Sequence, residues 1–79
     1  MTLRELFFEK YDFPNDEPVR IWIKTETTEE GDFGMMLFEG NWREAKIFVT
    51  LSAFEFATIV REETNSDFTF DITIMYEGE

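Results

Sequence analysis

The sequence predicts a compact α+β domain, in which about four largely antiparallel strands and two helices follow the order α-β-β-β-α-β. Three observations predict it. Two segments match the capping box that begins helices, several segments alternate apolar and polar residues as half-buried strands do, and the chain has only 79 residues. That length suits a single domain over residues 1–79, and ten Phe and two Trp can supply its core.

The first helix is predicted to begin at the capping box Thr2-Leu3-Arg4-Glu5. The apolar residues that follow recur at spacings of three and four, which indicates an amphipathic helix that buries one stripe: Leu3, Leu6, Phe7 and Tyr11. Pro14 and Pro18 are expected to end this region, because proline lacks an N–H and biases the preceding residue toward extended backbone.

The middle of the chain predicts three strands. Val19 to Thr25 alternates apolar and polar residues and forms the first strand. Glu26 to Gly34 is polar and glycine-containing, which favours a flexible acidic loop. Met35 to Glu39 and Ala45 to Thr50 are predicted as the second and third strands of a hairpin, with a turn that starts at Gly40-Asn41.

The last third predicts a helix and a strand. Ser52-Ala53-Phe54-Glu55 is the second capping box, and helical spacing of apolar residues continues from Ala53 to about Glu63. The Phe, Thr, Ile and Val residues of this stretch would also suit a strand, but the box and the spacing favour a helix. After turn residues at 64–67, Phe68 to Tyr76 alternates clearly as a strand. A short acidic tail follows.

Composition excludes several classes of function. The chain has no Cys and no His, which removes disulfides, thiolate nucleophiles, the usual zinc sites and histidine acid/base catalysis. No pair of carboxylates stands out as catalytic, so we expect a non-enzymatic protein without metal or cofactor. No apolar run reaches the ~20 residues of a membrane span, and the N-terminus lacks signal-peptide features. We therefore expect a cytoplasmic location.

The net charge of -11 indicates the kind of partner. An acidic surface repels phosphate backbones and anionic lipid, so direct binding to nucleic acid or membrane is disfavoured. Carboxylates two residues apart on a strand are about 6.6 Å apart, close to phosphate spacing, and could imitate DNA where they cluster. The candidate partner-binding residues form two clusters: Glu26, Glu29, Glu30 and Asp32, and Glu62, Glu63, Asp67 and Asp71. The alternative is that the acidity only confers solubility.

A second candidate surface is apolar. The predicted strand pattern places Trp22, Phe48 and Met75 on the sheet face opposite the helices, beside either Met35 and Leu37 or Met36 and Phe38. If both helices pack on one face of the sheet, this patch is bare and a homodimer is expected. If the helices divide between the faces, the chain is a monomer, which the repulsion between acidic copies slightly favours.

The small, acidic, aromatic-rich chain resembles the inhibitors encoded by phages and mobile elements, which include the anti-CRISPR proteins and other DNA mimics. Its opening, Met1 to Phe7, Tyr11-Asp12-Phe13 and Pro18-Val19-Arg20-Ile21, resembles the start of small proteins from such elements. The resemblance implies a non-enzymatic inhibitor in the cytoplasm of a bacterial host cell, which binds the basic nucleic-acid-binding groove of a CRISPR effector and blocks DNA binding. The alternative function is a phage or bacterial protein-protein interaction or assembly module that uses the apolar sheet face.

Overall fold

The computed structural model describes the backbone of residues 1–28 and 31–75, and the side chains of residues 1–24 and 34–75. This part of the chain forms two helices and a four-stranded sheet, so the α+β prediction is confirmed. The elements are α1 (Leu3–Glu5), which continues into a π-helical turn (Leu6–Lys10), β1 (Pro18–Thr28), β2 (Gly31–Asn41), α2 (Trp42–Leu51), β3 (Thr58–Thr64) and β4 (Phe70–Met75). Their order, α-β-β-α-β-β, differs from the predicted one, because the second helix precedes the third strand.

The sheet has the strand order β2-β1-β4-β3. β1 and β2 form one antiparallel hairpin, and β3 and β4 form another. The two hairpins meet at β1 and β4, which run parallel from Val19 opposite Phe70 to Ile23 opposite Ile74. The sheet is therefore mixed, with a parallel pair at its centre, rather than largely antiparallel.

The first helix begins at the predicted capping box. The Thr2 hydroxyl accepts a hydrogen bond from the Glu5 backbone N–H at 3.2 Å, and the Glu5 carboxylate accepts one from the Thr2 backbone N–H at 3.1 Å. The π-helical turn closes with a bond from the Tyr11 N–H to the Leu6 carbonyl. The predicted stripe is confirmed, since Leu3, Leu6 and Phe7 are fully buried and Tyr11 is half-buried.

The predicted strand Ala45 to Thr50 is wrong, because these residues belong to helix α2. Its start is the capping box Asn41-Trp42-Arg43-Glu44, in which the Asn41 side-chain oxygen accepts from the Glu44 N–H at 2.8 Å. Gly40-Asn41 is therefore the entry to a helix rather than a turn between strands. The helical spacing of Trp42, Ala45 and Val49 places all three in the core.

The predicted helix from Ala53 to Glu63 is also wrong. Ser52 ends α2 instead of starting a helix, and its hydroxyl accepts a hydrogen bond from the Phe54 N–H. Residues 58–64 form strand β3, in which the β-branched Thr58 and Ile59 pair with Met75 and Ile74 of β4. The strand alternative for this stretch is the one that the structure shows.

The segment Glu26 to Gly34, predicted as a loop, is largely strand. β1 continues to Thr28 and β2 begins at Gly31, with Thr27 opposite Asp32 and Thr28 opposite Gly31. Backbone pairing across the hairpin thus outweighs the polar composition of the segment. Glu29, Glu30 and residues 76–79 lie outside the described residues, while the predicted last strand is confirmed over Phe70–Met75.

Phe68 lies in the turn before β4 rather than in the strand. The Asn65 N–H donates to the Thr69 carbonyl, and the Phe68 N–H donates to the Asn65 carbonyl, both at 2.9 Å. Phe68 has a φ of 67° and its side chain is 75% exposed. A three-residue hairpin loop needs one left-handed residue, and glycine is usual there because other residues carry a Cβ that crowds the backbone.

Both helices pack on the same face of the sheet. The side chains that alternate toward this face are fully buried or nearly so, together with those of the helices and of Ala57: Leu3, Leu6, Phe7, Val19, Ile21, Trp42, Ala45, Val49, Ala57, Phe70, Ile72 and Ile74. Phe7 and Trp42 join the two helices, with ring centroids 4.4 Å apart. The opposite face of the sheet is therefore without a helix from the described chain.

Candidate functional site

The helix-free face consists of the side chains that point away from both helices. The strand register aligns them in two rows across all four strands, in the order β2, β1, β4, β3. One row is Met36, Trp22, Thr73 and Arg61, and the other is Glu39, Arg20, Asp71 and Glu63. The first row carries the apolar centre of the face, and the second carries charges of both signs.

The charged row is held by hydrogen bonds. Arg20 donates to both oxygens of Asp71, and Asn65 donates to the same carboxylate. Burial opposes ionisation of Asp71, but the hydrogen bonds from Arg20, Asn65 and Trp22 outweigh it, so the pKa of Asp71 is below its usual value. At the edge of the face, Arg61 pairs with Glu63 at 2.8 Å. Asp71 is thus an ionised structural group and is unsuited to donate a proton at neutral pH.

A depression of about 420 Å³ occupies the middle of the helix-free face. It is lined by Trp22, Lys24, Gly34, Val60, Arg61, Glu63, Asp71 and Thr73. Two local features shape it. Gly34 brings no side chain to its edge, and a bulge between Ile59 and Arg61 makes Val60 an extra residue in β3.

The apolar residues of the face remain accessible. Met36, Val60 and Met75 are 44, 43 and 37% exposed, and Trp22 is half-buried beside Met36 and Thr73. Large apolar side chains around an aromatic ring, with fixed ion pairs at the margin, are typical of protein-protein interfaces. The arrangement can bind another surface by apolar contact.

The alternative apolar set is only partly together on this face. Trp22 and Met75 belong to it, but Phe48 lies on α2 and stacks on Phe38 at 5.1 Å on the helix-covered side. The prediction for Phe48 rested on a strand over Ala45 to Thr50, and these residues belong to helix α2 in the structure. The bulge at Leu37 puts Met36 beside Trp22 and leaves Phe38 opposite Ile21 on the covered side.

The second acidic cluster is distributed over different parts of the molecule. Glu62 is on the helix-covered side, where it accepts hydrogen bonds from the Tyr11 hydroxyl at 2.8 Å and from Lys10 at 3.0 Å. Burial raises the pKa of Glu62, yet these two bonds bring it below its usual value. Glu63 and Asp71 are on the helix-free face, and Asp67 is in the β3-β4 turn, where it accepts from the Thr69 N–H.

The described part of the first acidic cluster, Glu26 and Asp32, lies in the distal part of the β1-β2 hairpin. Glu26 is in β1 opposite Phe33, and Asp32 is in β2 opposite Thr27, while Glu29 and Glu30 are outside the described residues. Pairing of β1 with β4 ends at Ile23. Beyond that point β1 and β2 pair with each other as a two-stranded arm, about 17 Å long for five residues at ~3.3 Å each.

Within the described residues, no group of three or more acidic side chains is arranged to hold a metal ion. The helices in the same part of the chain include none that is long and apolar enough to cross a membrane.

Comparison with known proteins adds no family to these observations. No protein-family model, curated protein or solved structure matches the chain. The helix-free face and the hairpin arm are therefore the features that indicate a function.

Proposed function

We propose that the protein is a small assembly module that self-associates through its helix-free sheet face. The observation that carries the proposal is that α1 and α2 both pack on the other side, which leaves Trp22 and its apolar neighbours uncovered. When both helices pack on one face of the sheet, the sequence predicts a homodimer.

The distribution of charge favours a second copy as the occupant of this face. Its described side chains include three cations, Arg20, Lys24 and Arg61, and three anions, Glu39, Glu63 and Asp71. The chain has 7 basic and 18 acidic residues in total, so four basic and fifteen acidic residues remain for the rest of it. Two equally acidic copies therefore repel each other least when these balanced faces meet.

The expected association is weak. Trp22, Met36, Val60 and Met75 are already partly covered, so complete burial contributes about 1 kcal/mol for each, or about 8 kcal/mol for both copies. Association costs roughly 4–15 kcal/mol in lost freedom. Ion pairs at the rim add specificity more than affinity. With the cost at the low end of this range, about 4 kcal/mol remains, which corresponds to a dissociation constant on the order of 1 mM.

Sedimentation over about 10 µM to 1 mM protein tests the proposal. The wild type should dimerise. Its dimer should be at least as strong at about 500 mM salt as at about 50 mM, because salt screens the repulsion between the two acidic copies. Trp22→Ser with Met75→Ser should weaken the dimer about tenfold or more. Ile47→Ser with Leu51→Ser, exposed apolar residues of α2 on the other side of the sheet, is the matched control and should change it less than about twofold. A wild type that stays monomeric throughout would contradict the proposal.

A second function is supported by the hairpin arm. We propose, as the alternative, a non-enzymatic acidic inhibitor that inserts this arm into the basic nucleic-acid-binding groove of a partner such as a CRISPR effector. The arm projects beyond β4, and its sequence contains Glu26, Glu29, Glu30 and Asp32. A two-stranded β-ribbon is narrow enough to enter the major groove of DNA. We expect a protein groove that binds nucleic acid to be wide enough for the hairpin arm as well.

Neutralising the arm tests this alternative. The test variant combines Glu26→Gln, Glu29→Gln, Glu30→Gln and Asp32→Asn. It should no longer prevent purified guide-loaded CRISPR effectors from binding DNA. The matched control removes four charges elsewhere, through Glu9→Gln, Asp12→Asn, Asp16→Asn and Glu17→Gln, and should still inhibit. Inhibition should also fall steeply as salt rises, unlike dimerisation. Equal inhibition by the arm variant, or none by the wild type, would exclude this function.

A further inference from the structure

The two outer edges of the sheet differ in how they are protected. At β3, the N-terminal segment runs along the edge, where the Ile59 N–H donates to the Met1 carbonyl at 2.8 Å and the Leu3 N–H donates to the Ala57 carbonyl at 2.9 Å. The rest of β3 carries three consecutive charges, at positions 61–63. Covering segments and charges are the usual means by which proteins prevent a strand from joining the edge of a sheet.

The edge formed by β2 has no covering segment among the described residues, and its protections are limited to the charges of Asp32 and Glu39 and the bulge at Leu37. Its eleven residues contain no Lys, Arg or Pro, and four consecutive apolar residues occupy its centre, Met35 to Phe38. In the described part of the chain, the backbone of this run has no hydrogen-bond partner other than β1. Met35 is 57% exposed. The run therefore offers unpaired backbone groups together with flexible apolar side chains, which adapt to varied partners.

We propose that the β2 edge binds an extended segment of another protein, apolar at its centre and flanked by Lys or Arg, which pairs with Met35 to Phe38 as a fifth strand. Backbone hydrogen bonds would provide the affinity, and the apolar side chains would select the central residues. The β2 edge shares the Met36 side chain with the helix-free face, but pairing at its backbone does not depend on self-association through that face.

Charge determines which occupant suits the edge. The apolar run is preceded by Asp32 and followed by Glu39, and Glu44 lies in the first turn of α2. A second copy would bring the same carboxylates to the edge and add to the repulsion of a chain that carries -11. A segment with basic ends neutralises Asp32 and Glu39 instead, and its charges accelerate the encounter with the acidic molecule.

Synthetic peptides provide the test. The first probe has alternating valine and threonine at its centre and two lysines at each end, and the second replaces the lysines by glutamates. The third keeps the lysines but carries N-methyl groups on all of its central peptide bonds, so that neither of its edges can pair as a strand. The first probe should slow amide hydrogen exchange across Met35 to Phe38 by about tenfold or more, and the other two should have little effect.

Two variants locate the site. Met35→Lys introduces the charge that protected edges carry and should weaken binding of the first probe about tenfold or more. Leu51→Lys introduces the same charge at an exposed apolar residue at the end of α2, outside the β2 edge, and should alter binding less than about twofold. Circular dichroism verifies that both variants fold.

Two results would overturn the inference. If the N-methylated peptide binds as well as the first probe, the peptides are held by charge alone. If exchange at Met35 to Phe38 slows with protein concentration in the absence of peptide, the edge pairs with a second copy. Because Met36 belongs to both surfaces, this exchange measurement is made on the variant Trp22→Ser with Met75→Ser, in which the dimer through the helix-free face is weakened, and the two proposals can then fail independently.

Discussion

Arg20 and Asp71 are register partners on adjacent parallel strands, joined by two hydrogen bonds of 2.7 Å from Nε to Oδ1 and 3.2 Å from Nη2 to Oδ2. Their side chains are 27 and 19% exposed. The pair connects β1 to β4, and so connects the two hairpins on the face that no helix covers. Arginine suits this position because its planar guanidinium can engage both carboxylate oxygens at once.

Asp71→Asn should lower the urea midpoint at pH 7 and have a much smaller effect near pH 2. Because the native pKa of Asp71 is lowered, its contribution to stability is complete above the ordinary aspartate pKa of about 4 and is lost as pH falls through the native value. Urea unfolding at both pH values measures the difference. The exposed Asp16→Asn should have little effect at either pH, and an equal loss for Asp71→Asn at both would show that its charge is not what stabilises the sheet.

The two tryptophans should differ strongly in their effect on stability. Trp42 is fully buried between Phe7 and Phe13, so Trp42→Ala should lower the free energy of unfolding by about 3–5 kcal/mol. Trp22→Ala should cost less than about half of that, since the Trp22 ring lies on the open face. Chemical denaturation followed by circular dichroism measures both, and equal costs would contradict the burial described above.

Phe68→Gly should stabilise the protein by about 1 kcal/mol, because glycine adopts the left-handed conformation of this turn without the steric cost of a Cβ. Phe68→Ala is the matched control, since it removes the exposed ring and keeps the Cβ. It should leave the free energy of unfolding nearly unchanged. If Ala and Gly stabilise equally, the gain comes from removal of the ring and not from the backbone.

Asn41→Ala should lower the free energy of unfolding by about 1 kcal/mol, because it removes the side-chain oxygen that accepts from the Glu44 N–H at the start of α2. Asn41→Asp retains such an acceptor and should stay close to wild type. Thermal unfolding of the two variants provides the comparison, and similar losses for both would mean that the cap contributes little.

The parts of the fold that the sequence predicts correctly are those fixed by local pattern. The box at Thr2 and the alternation after Phe70 each specify one structure. Ala45 to Thr50 is ambiguous because a short apolar run suits a helix or a buried strand. The helix is decided by Trp42, which packs on Phe7 of a distant element, a contact that the local pattern does not contain.

The positions of Trp22 and Met75 on the helix-free face follow from the sequence, because the strands that contain them are predicted correctly. Met36 and Val60 could not be assigned from the sequence, because bulges in β2 and β3 shift the alternation by one residue. Asn41 was overlooked although Asn41-Trp42-Arg43-Glu44 has the form of a capping box, with asparagine in place of serine or threonine.

The parallel pairing of β1 with β4 also affects how the chain folds. Each hairpin joins neighbours in sequence, whereas Ile21 and Ile72 come together only after some fifty residues of intervening chain have been ordered. Closing so long a loop costs entropy before any contact compensates, so the union of the hairpins is expected to be the slow step of folding. Until then both hairpins expose the apolar side chains that later form the core. Amides of Ile21 and Ile72 should therefore exchange only through global unfolding, while the distal part of the β1-β2 hairpin opens by itself.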